Sequence, residues 1–514
     1  MYPPAMHRAL KITDIQQIIC DHLPVDPEDP VWSNQPDRPT LYALARTCRA
    51  WVEVALNRLW SYLSSYEPLL RCLPKDVWSP GDRWRLCRRL RSEEWDTFQK
   101  YARRVRCLRV VWIGVRSQRL FGALSHLPIP LLPNLQLLAI EDFGNAGPEW
   151  GNCWRPLLSS TITQVHISSD RDALFNSPRS ILWALGESCP NIKEFDLNTN
   201  ALGKEVTQSF LSTIQHWKHL ATLTTYAADT QTMLHFSSLQ SLTSLSVTIF
   251  AKSYSAWALP DANIIFPPTL KYVSLEVLGS FDLLALSLAS VYLSVTTLEI
   301  TIHGARSSSG DTGRLHKLLA TNVSSDHLQS LTLFWRSEED PDGLSLNVLR
   351  PLFQFRLLHT LYLVAHSPSD LDDAVMTELA RSFPLLKDFS YRNNRVERPS
   401  ITHRGLVSLL KSCPKLHGLS LAFDATGITT EMMKQYEDEE ILNTQIGEIN
   451  VCSSPITDPA PVALFLKAIM PGLRTVDSTY EYLQEWMTVS GMLSLLDLVT
   501  ARERKRAERH TASI

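Results

Sequence analysis

Apolar residues recur along this chain in a short phrase, apolar at its first, fourth and sixth positions, from about residue 105 to about residue 478. The first positions are Val105, Leu135, Ile162, Ile192, Leu220, Leu242, Leu270, Val295, Leu328, Leu358, Leu386, Leu416, Ile446 and Leu473. Thirteen steps span 368 residues, so one phrase returns about every 28. Alternation within the phrase, as in Ile192-Phe195-Leu197 or Leu416-Leu419-Leu421, predicts a short strand that buries one face. Ahead of several strands the apolar spacing changes to three and four. Ile181-Leu182-Leu185, Val375-Met376-Leu379 and Leu406-Leu409-Leu410 predict helices with one buried stripe. Pro133, Pro190, Pro268, Pro384, Pro414 and Pro471 each stand two residues before a first strand position. Proline there ends a helix and turns the residue before it toward extended backbone.

A repeat of 20–29 residues with this pattern predicts a leucine-rich-repeat solenoid. The expected fold class is α/β: parallel inner strands, outer helices, and a curve imposed by the wider helical layer. Residues 105–480 would hold about 14 units, followed by a C-terminal helix and basic tail over 481–514. Copies beginning at Leu220 and Val295 are weak. Asn200 and Asn394, with Asp170 and Asp424 as partial equivalents, stand at the ninth position, where a side-chain amide can bond the turn backbone. Thr426 to Gln445 carries an acidic insertion, Glu437 to Glu440, expected on a solvated convex face. The apolar run from Leu278 to Val295 stays in phase with the repeats and is expected as a buried helix, not a membrane span.

The first hundred residues follow another grammar. Ile12, Ile15, Ile18, Ile19 and Leu23 form a helical stripe, and a Pro/Asp-rich stretch from Pro24 to Pro39 reads as a loop. Thr40 is a candidate cap for a second helical region, in which Leu41, Leu44, Cys48, Trp51, Ala55 and Leu59 keep helical spacing. A unit of residues 7–62 is too small to bury so wide an apolar face alone. Between 63 and 104, Trp78, Trp84, Leu86, Leu90, Trp95, Phe98 and Tyr101 predict helices that link this unit to the first repeat and cap its apolar end. Arg83, Arg85, Arg88, Arg89 and Arg91 form a basic cluster without a nucleic-acid reading motif.

Residues 10–62 resemble an F-box of the fungal type with a long loop after its first helix. The resemblance rests on Leu41, Leu44, Cys48, Arg49 and Trp51 in the phrase Leu-x-x-Leu-x-x-x-Cys-Arg-x-Trp, and on Leu59-Trp60. The Leu-Pro opening frequent in that family is absent; Leu10-Lys11-Ile12 takes its place. An F-box followed by leucine-rich repeats implies a substrate-recognition subunit of a Skp1-cullin-F-box ubiquitin ligase. The resemblance then implies adaptor contacts at Leu10, Ile12, Ile15, Leu41, Leu44, Cys48, Trp51, Leu59 and Trp60. Partners would be a Skp1-like adaptor, cullin and RING subunits through it, and a protein substrate on the repeats. The rival reading is a leucine-rich binding scaffold whose N-terminal helices only cap the solenoid.

On the concave side, alternation places Tyr272, Ser274 and Glu276, then Ser330, Thr332 and Phe334, Thr360, Tyr362 and Val364, and Asp388, Ser390 and Arg392. Phe334, Trp335, Tyr362 and Arg392 form the expected substrate site, because aromatic and arginine side chains anchor interfaces. A formal charge of -3 speaks against a general polyanion binder. Nine cysteines without paired spacing, and no apolar leader after Met1, favour cytosol or nucleus. No phosphate loop, His-Glu-x-x-His helix or Gly-x-Ser-x-Gly elbow is present, and His216 and His219 have no cysteine pair near them. The expectation is a non-catalytic protein, without cofactor, metal, nucleic-acid or membrane partner.

Overall fold

The computed structural model of the chain describes residue 10 and residues 12–23, 37–79, 82–111, 130–141, 155–169, 178–199, 210–227, 229–250, 264–303, 310–336, 344–365, 371–393, 398–433, 443–479 and 482–511. Two compact units are present: Met1–Tyr226 with Leu239–Leu242, and Ala227–Ser238 with Thr243–Ile514.

The first unit begins with helices α1 (Thr13–Asp21), α2 (Arg38–Thr47) and α3 (Arg49–Ser61). Strand β1 (Tyr62–Leu63) follows, then an antiparallel pair, β2 (Trp78–Ser79) and β3 (Asp82–Leu86), and helix α4 (Ser92–Ala102). Next come β4 (Cys107–Val111), β5 (Leu137–Glu141), β6 (Gln164–Ser169), α5 (Pro178–Ser188), β7 (Glu194–Thr199) and β8 (Thr222–Ala227). Strands β1, β4, β5, β6, β7 and β8 pair in that order, every pair parallel.

The second unit contains α6 (Thr230–Ser237), β9 (Ser244–Phe250), β10 (Ile264–Ile265), β11 (Tyr272–Leu278), α7 (Phe281–Ala289), β12 (Val291–Tyr292), β13 (Thr297–His303) and α8 (Asp311–Asn322). It continues with β14 (Ser330–Arg336), β15 (Thr360–Ala365), α9 (Asp373–Ser382), β16 (Asp388–Asn393), α10 (His403–Ser412) and β17 (Gly418–Leu421). Strand β18 (Glu448–Asn450), α11 (Pro459–Ile469), β19 (Thr475–Asp477) and α12 (Leu483–Thr511) complete it. Strands β9, β11 and β13 through β19 pair in sequence order, all parallel; β10 and β12 form a small parallel pair of their own.

All fourteen first positions of the phrase are fully buried. The fourth positions, Leu108 to Val476, are buried as well. Each such side chain is worth about 1.5–3 kcal/mol when removed from water. Between phrases one carbonyl serves two donors. Gln136 O accepts from Thr163 N and Gln164 N at 2.9 and 3.0 Å, and His359 O accepts from Lys387 N and Asp388 N at 2.7 and 3.0 Å. The chain therefore has the parallel strands and buried apolar triads of a leucine-rich solenoid.

The weak copies differ from each other. Val295, Leu298 and Ile300 are all buried, so the copy at Val295 is complete. In the copy at Leu220 the sixth position is Thr225, buried with its hydroxyl unpaired. The run from Leu278 to Val295 is helical only over α7; β12 follows it directly. Among the described residues no helix is long and apolar enough to cross a membrane.

Several expectations fail locally. Trp78 and Leu86 pair across an antiparallel hairpin, not within helices; Trp84, on the same strand, shares the period-two spacing with Leu86. Asp37, not Thr40, caps α2, accepting from Thr40 N at 3.3 Å. Cysteines in apolar or repeat contexts are ordinarily buried thiols, and Cys189, Cys413 and Cys452 are, but Cys48 and Cys87 are exposed. Asp170, Asn200, Asn394 and the acidic residues 437–440 lie outside the described residues. A different amide ladder stands immediately before the strands: Asn134 Nδ2 donates to Arg103 O at 2.7 Å and Asn191 Nδ2 to Ser160 O at 2.8 Å.

The last strand of the second unit is closed by α12. Trp486, Val489 and Leu493 are buried, and Trp486 Nε1 donates to Ser454 O at 2.9 Å. Ser490 Oγ accepts from Val476 N at 2.9 Å and donates to Val476 O at 3.1 Å, satisfying the open edge of β19.

Candidate functional site

Strand alternation decides what faces outward in the second unit. The register aligns Thr332, Tyr362, Ser390, Ser420, Asn450 and Asp477 in one row across β14 to β19. A second row holds Phe334, Val364 and Arg392, and a third runs Thr360, Asp388, Gly418. Neighbours in a row are about 4.8 Å apart, the strand spacing. The second row, the first row from Tyr362 onward, and Gly418 of the third line a concavity of about 590 Å³, whose wall includes Phe334, Tyr362, Arg392, His417, Glu448 and Asp477.

Of the four residues expected for substrate, Phe334, Tyr362 and Arg392 share this concavity. Trp335 does not. It is 5% exposed, aligned with the buried Ile302, and stacked on Phe281 with ring centroids 5.7 Å apart. The period of two that turns Phe334 outward turns Trp335 inward with Leu331 and Leu333. That signal was already present in the sequence.

The site is electrostatically graded. Arg392 Nε donates to Ser420 Oγ at 3.2 Å, and among the described residues no carboxylate stands within ion-pair distance of it. His417 Nδ1 lies 3.3 Å from Asp388 Oδ1. Gly418 leaves room for that carboxylate: a Cβ at this position would strike Asp388 Oδ1. Tyr362 is 38% exposed, and its hydroxyl is pushed above the usual tyrosine range by burial and then by Asp388, with Arg392 opposing. Glu448, Asn450 and Asp477 form the far end, two and three strands from Arg392. Such a surface can hold a chain segment through an aromatic shelf, one guanidinium and an acidic border. Among the described residues, no group of three or more His, Cys, Asp or Glu could hold a metal ion.

In the first unit, α1 to α3 close a small core of Cys20, Leu41, Val54 and Ala55, with Leu23, Leu44, Ala45, Trp51 and Leu59 packed against it. The nine expected adaptor contacts therefore divide. Leu41 is fully enclosed and cannot meet a partner, which corrects that expectation. Leu44, Trp51 and Leu59 are half-buried on the same core, and Trp60 lies against Tyr101 with centroids 4.6 Å apart. Ile15 is half-buried, while Cys48, Leu10 and Ile12 are open. Ile18 and Tyr42, absent from the expected set, are each 57% exposed. Helical spacing put Ile18 on the apolar stripe; only the seat of α1 against α3 shows which side of the stripe stays outside.

No family model matches the chain, and no curated protein matches it. Among solved structures, an internalin from Listeria monocytogenes is similar at 16% identity and a TM-score of 0.37, over 74% of this chain and 89% of that one. The leucine-rich repeat-containing protein LegL7 from Legionella pneumophila is similar at 14% identity and a TM-score of 0.28, over 49% and 88%. At these scores neither likeness adds to the repeat architecture, which stands on the strand register of this chain.

Proposed function

We propose that this chain is a non-catalytic receptor that joins a Skp1-like adaptor to a protein substrate, as a subunit of a cullin-RING ubiquitin ligase. The observation that carries the reading is the exposed apolar set Leu10, Ile12, Ile18 and Tyr42, beside a helical core that closes without them. Exposed apolar groups gathered on one small unit favour a protein partner. The Cys48-Arg49-x-Trp51 and Leu59-Trp60 phrases of the F-box resemblance lie at the start and along the length of α3 in the same unit. Substrate binding is assigned to the concavity holding Phe334, Tyr362 and Arg392.

Two surface variants separate the roles. Ile12→Asp with Ile18→Asp should abolish binding of a purified Skp1-like adaptor while leaving substrate recovery intact. Tyr362→Ala with Arg392→Ala should do the reverse. Deleting residues 1–62 is a poorer test, because it removes Tyr62 and with it half of the edge strand β1. Absence of adaptor binding by the intact chain would instead favour a leucine-rich interaction scaffold with no ligase association.

A further inference from the structure

A second concavity, of about 730 Å³, lies within the first unit. It is walled by α1, α3, the C-terminal end of α4 and the first strands of the sheet. Its charged lining is unbalanced: five cations face two carboxylates. Both carboxylates are already engaged. Asp21 Oδ1 lies 3.7 Å from Arg58 Nε, and Glu53 Oε2 lies 2.5 Å from Arg104 Nη2. Arg104 also donates to Asn57 Oδ1, and its side chain is 9% exposed, so it is a fixed wall charge.

That leaves Lys100, Arg103 and Arg106. Among the described residues none of the three has a carboxylate within ion-pair distance. The chain turns between α4 and β4 at this point, so three charges that lie within seven residues line the concavity. The surplus is local, since the chain as a whole carries a formal charge of -3. A concave surface with a surplus of one sign of charge and protein walls concentrates its field on whatever enters.

The lining also narrows the ligand class. Guanidinium forks match phosphate oxygens in pairs, and lysine adds a point charge. The one aromatic residue of the lining, Tyr62, is buried and offers no face for base stacking, which disfavours single-stranded nucleic acid. Asp21 and Glu53 on the wall would repel a long phosphate backbone, whereas a compact anion needs only the part of the lining that Lys100, Arg103 and Arg106 supply. We propose that this concavity binds a small anion carrying several phosphate groups, held by Lys100, Arg103 and Arg106. Bound there, the anion bridges the helical elements and the first strands of the unit.

Tripolyphosphate is a suitable probe, measured by calorimetry and thermal unfolding with the full chain at 0.15 M salt. The expected result is saturable binding that raises the melting temperature of the first unit. A Lys100→Gln, Arg103→Gln, Arg106→Gln variant, its fold checked by circular dichroism, should bind at least tenfold more weakly. Arg392→Gln, in the other concavity, should bind as the parent does. Equal binding by the triple variant, or no saturable binding by the parent, overturns the site. Hexaglutamate binding as tightly as tripolyphosphate would keep the site but overturn the phosphate class, assigning it to acidic peptide.

Discussion

Asp373 ties one repeat to the next, and removing its carboxylate gives a local, measurable loss. It sits in the first turn of α9, whose own cap is Asp372, accepting from Val375 N at 2.9 Å. The Asp373 carboxylate instead serves the start of α10. Oδ1 accepts from Thr402 N at 2.7 Å and from Gly405 N at 2.9 Å, and Oδ2 accepts from Thr402 Oγ1 at 2.6 Å. Gly405 permits this approach, because a Cβ there would come within 2.6 Å of Asp373 Oδ1. A hydrogen bond to a charged group is worth about 1.5–3 kcal/mol, and Asp373 is half-buried, so water replaces part of what Asp373→Ala removes. The net loss is set at about 2–3 kcal/mol. In a repeat protein global unfolding need not be two-state, so amide hydrogen exchange is the right assay. Protection of Thr402 and Gly405 should fall about 30- to 150-fold, one factor of ten per 1.4 kcal/mol. Val375 should be unchanged, and Asp373→Asn, which keeps the acceptor but not the charge, should fall between. Protection of Gly405 within threefold of the parent would refute the coupling.

Three further outcomes follow from the packing. Thr225→Val removes a buried hydroxyl without a partner and should stabilise the first unit by about 1 kcal/mol, read from its urea midpoint; destabilisation would show that the hydroxyl is satisfied. Burial pushes His316 down to about 4, although its Nδ1 donates to Val348 O at 2.7 Å. The unfolded chain therefore takes up a proton near pH 6.5 that the folded chain refuses. The His316 contribution is constant above that pH, and stability falls as pH drops from about 6.5 toward 4. At pH 5 the loss relative to pH 7.5 is about 2 kcal/mol, and His316→Gln should lack most of it; an identical pH profile would remove the assignment. Trp335→Ala should cost about 3–5 kcal/mol, whereas Tyr362→Ala with Arg392→Ala should leave melting unchanged and cut substrate recovery. The reverse pattern would reverse the assigned faces of β14 and β15.

The repeat architecture was legible because burial in a parallel strand is periodic: Val105, Leu270 and Leu473 announce themselves by spacing alone. The outward rows were legible for the same reason, and the error at Trp335 came from weighing residue type above alternation. The hairpin at Trp78 and Leu86 also had a local sign, Pro80-Gly81 just ahead of the alternating run Arg83-Trp84-Arg85-Leu86. Other features depend on where separate segments meet. Leu41 and Ile18 both read as apolar stripe, yet one is enclosed and the other open, a difference set by how α1 and α2 pack on α3. The cations at Lys100, Arg103 and Arg106 are sparser along the sequence than the arginine cluster from Arg83 to Arg91. In that cluster Arg88 is spent on Asp76 and Glu94, at 2.8 and 2.7 Å. Charge density along a sequence does not reveal which charges find partners.

The receptor reading is tested most directly by mixing the purified full chain with a purified Skp1-like adaptor and measuring the mass of the eluted species by light scattering. A one-to-one complex is expected, absent for Ile12→Asp with Ile18→Asp although that variant elutes as a folded chain. Elution of the parent chain and the adaptor as separate species, or a complex undiminished in the double variant, would contradict it.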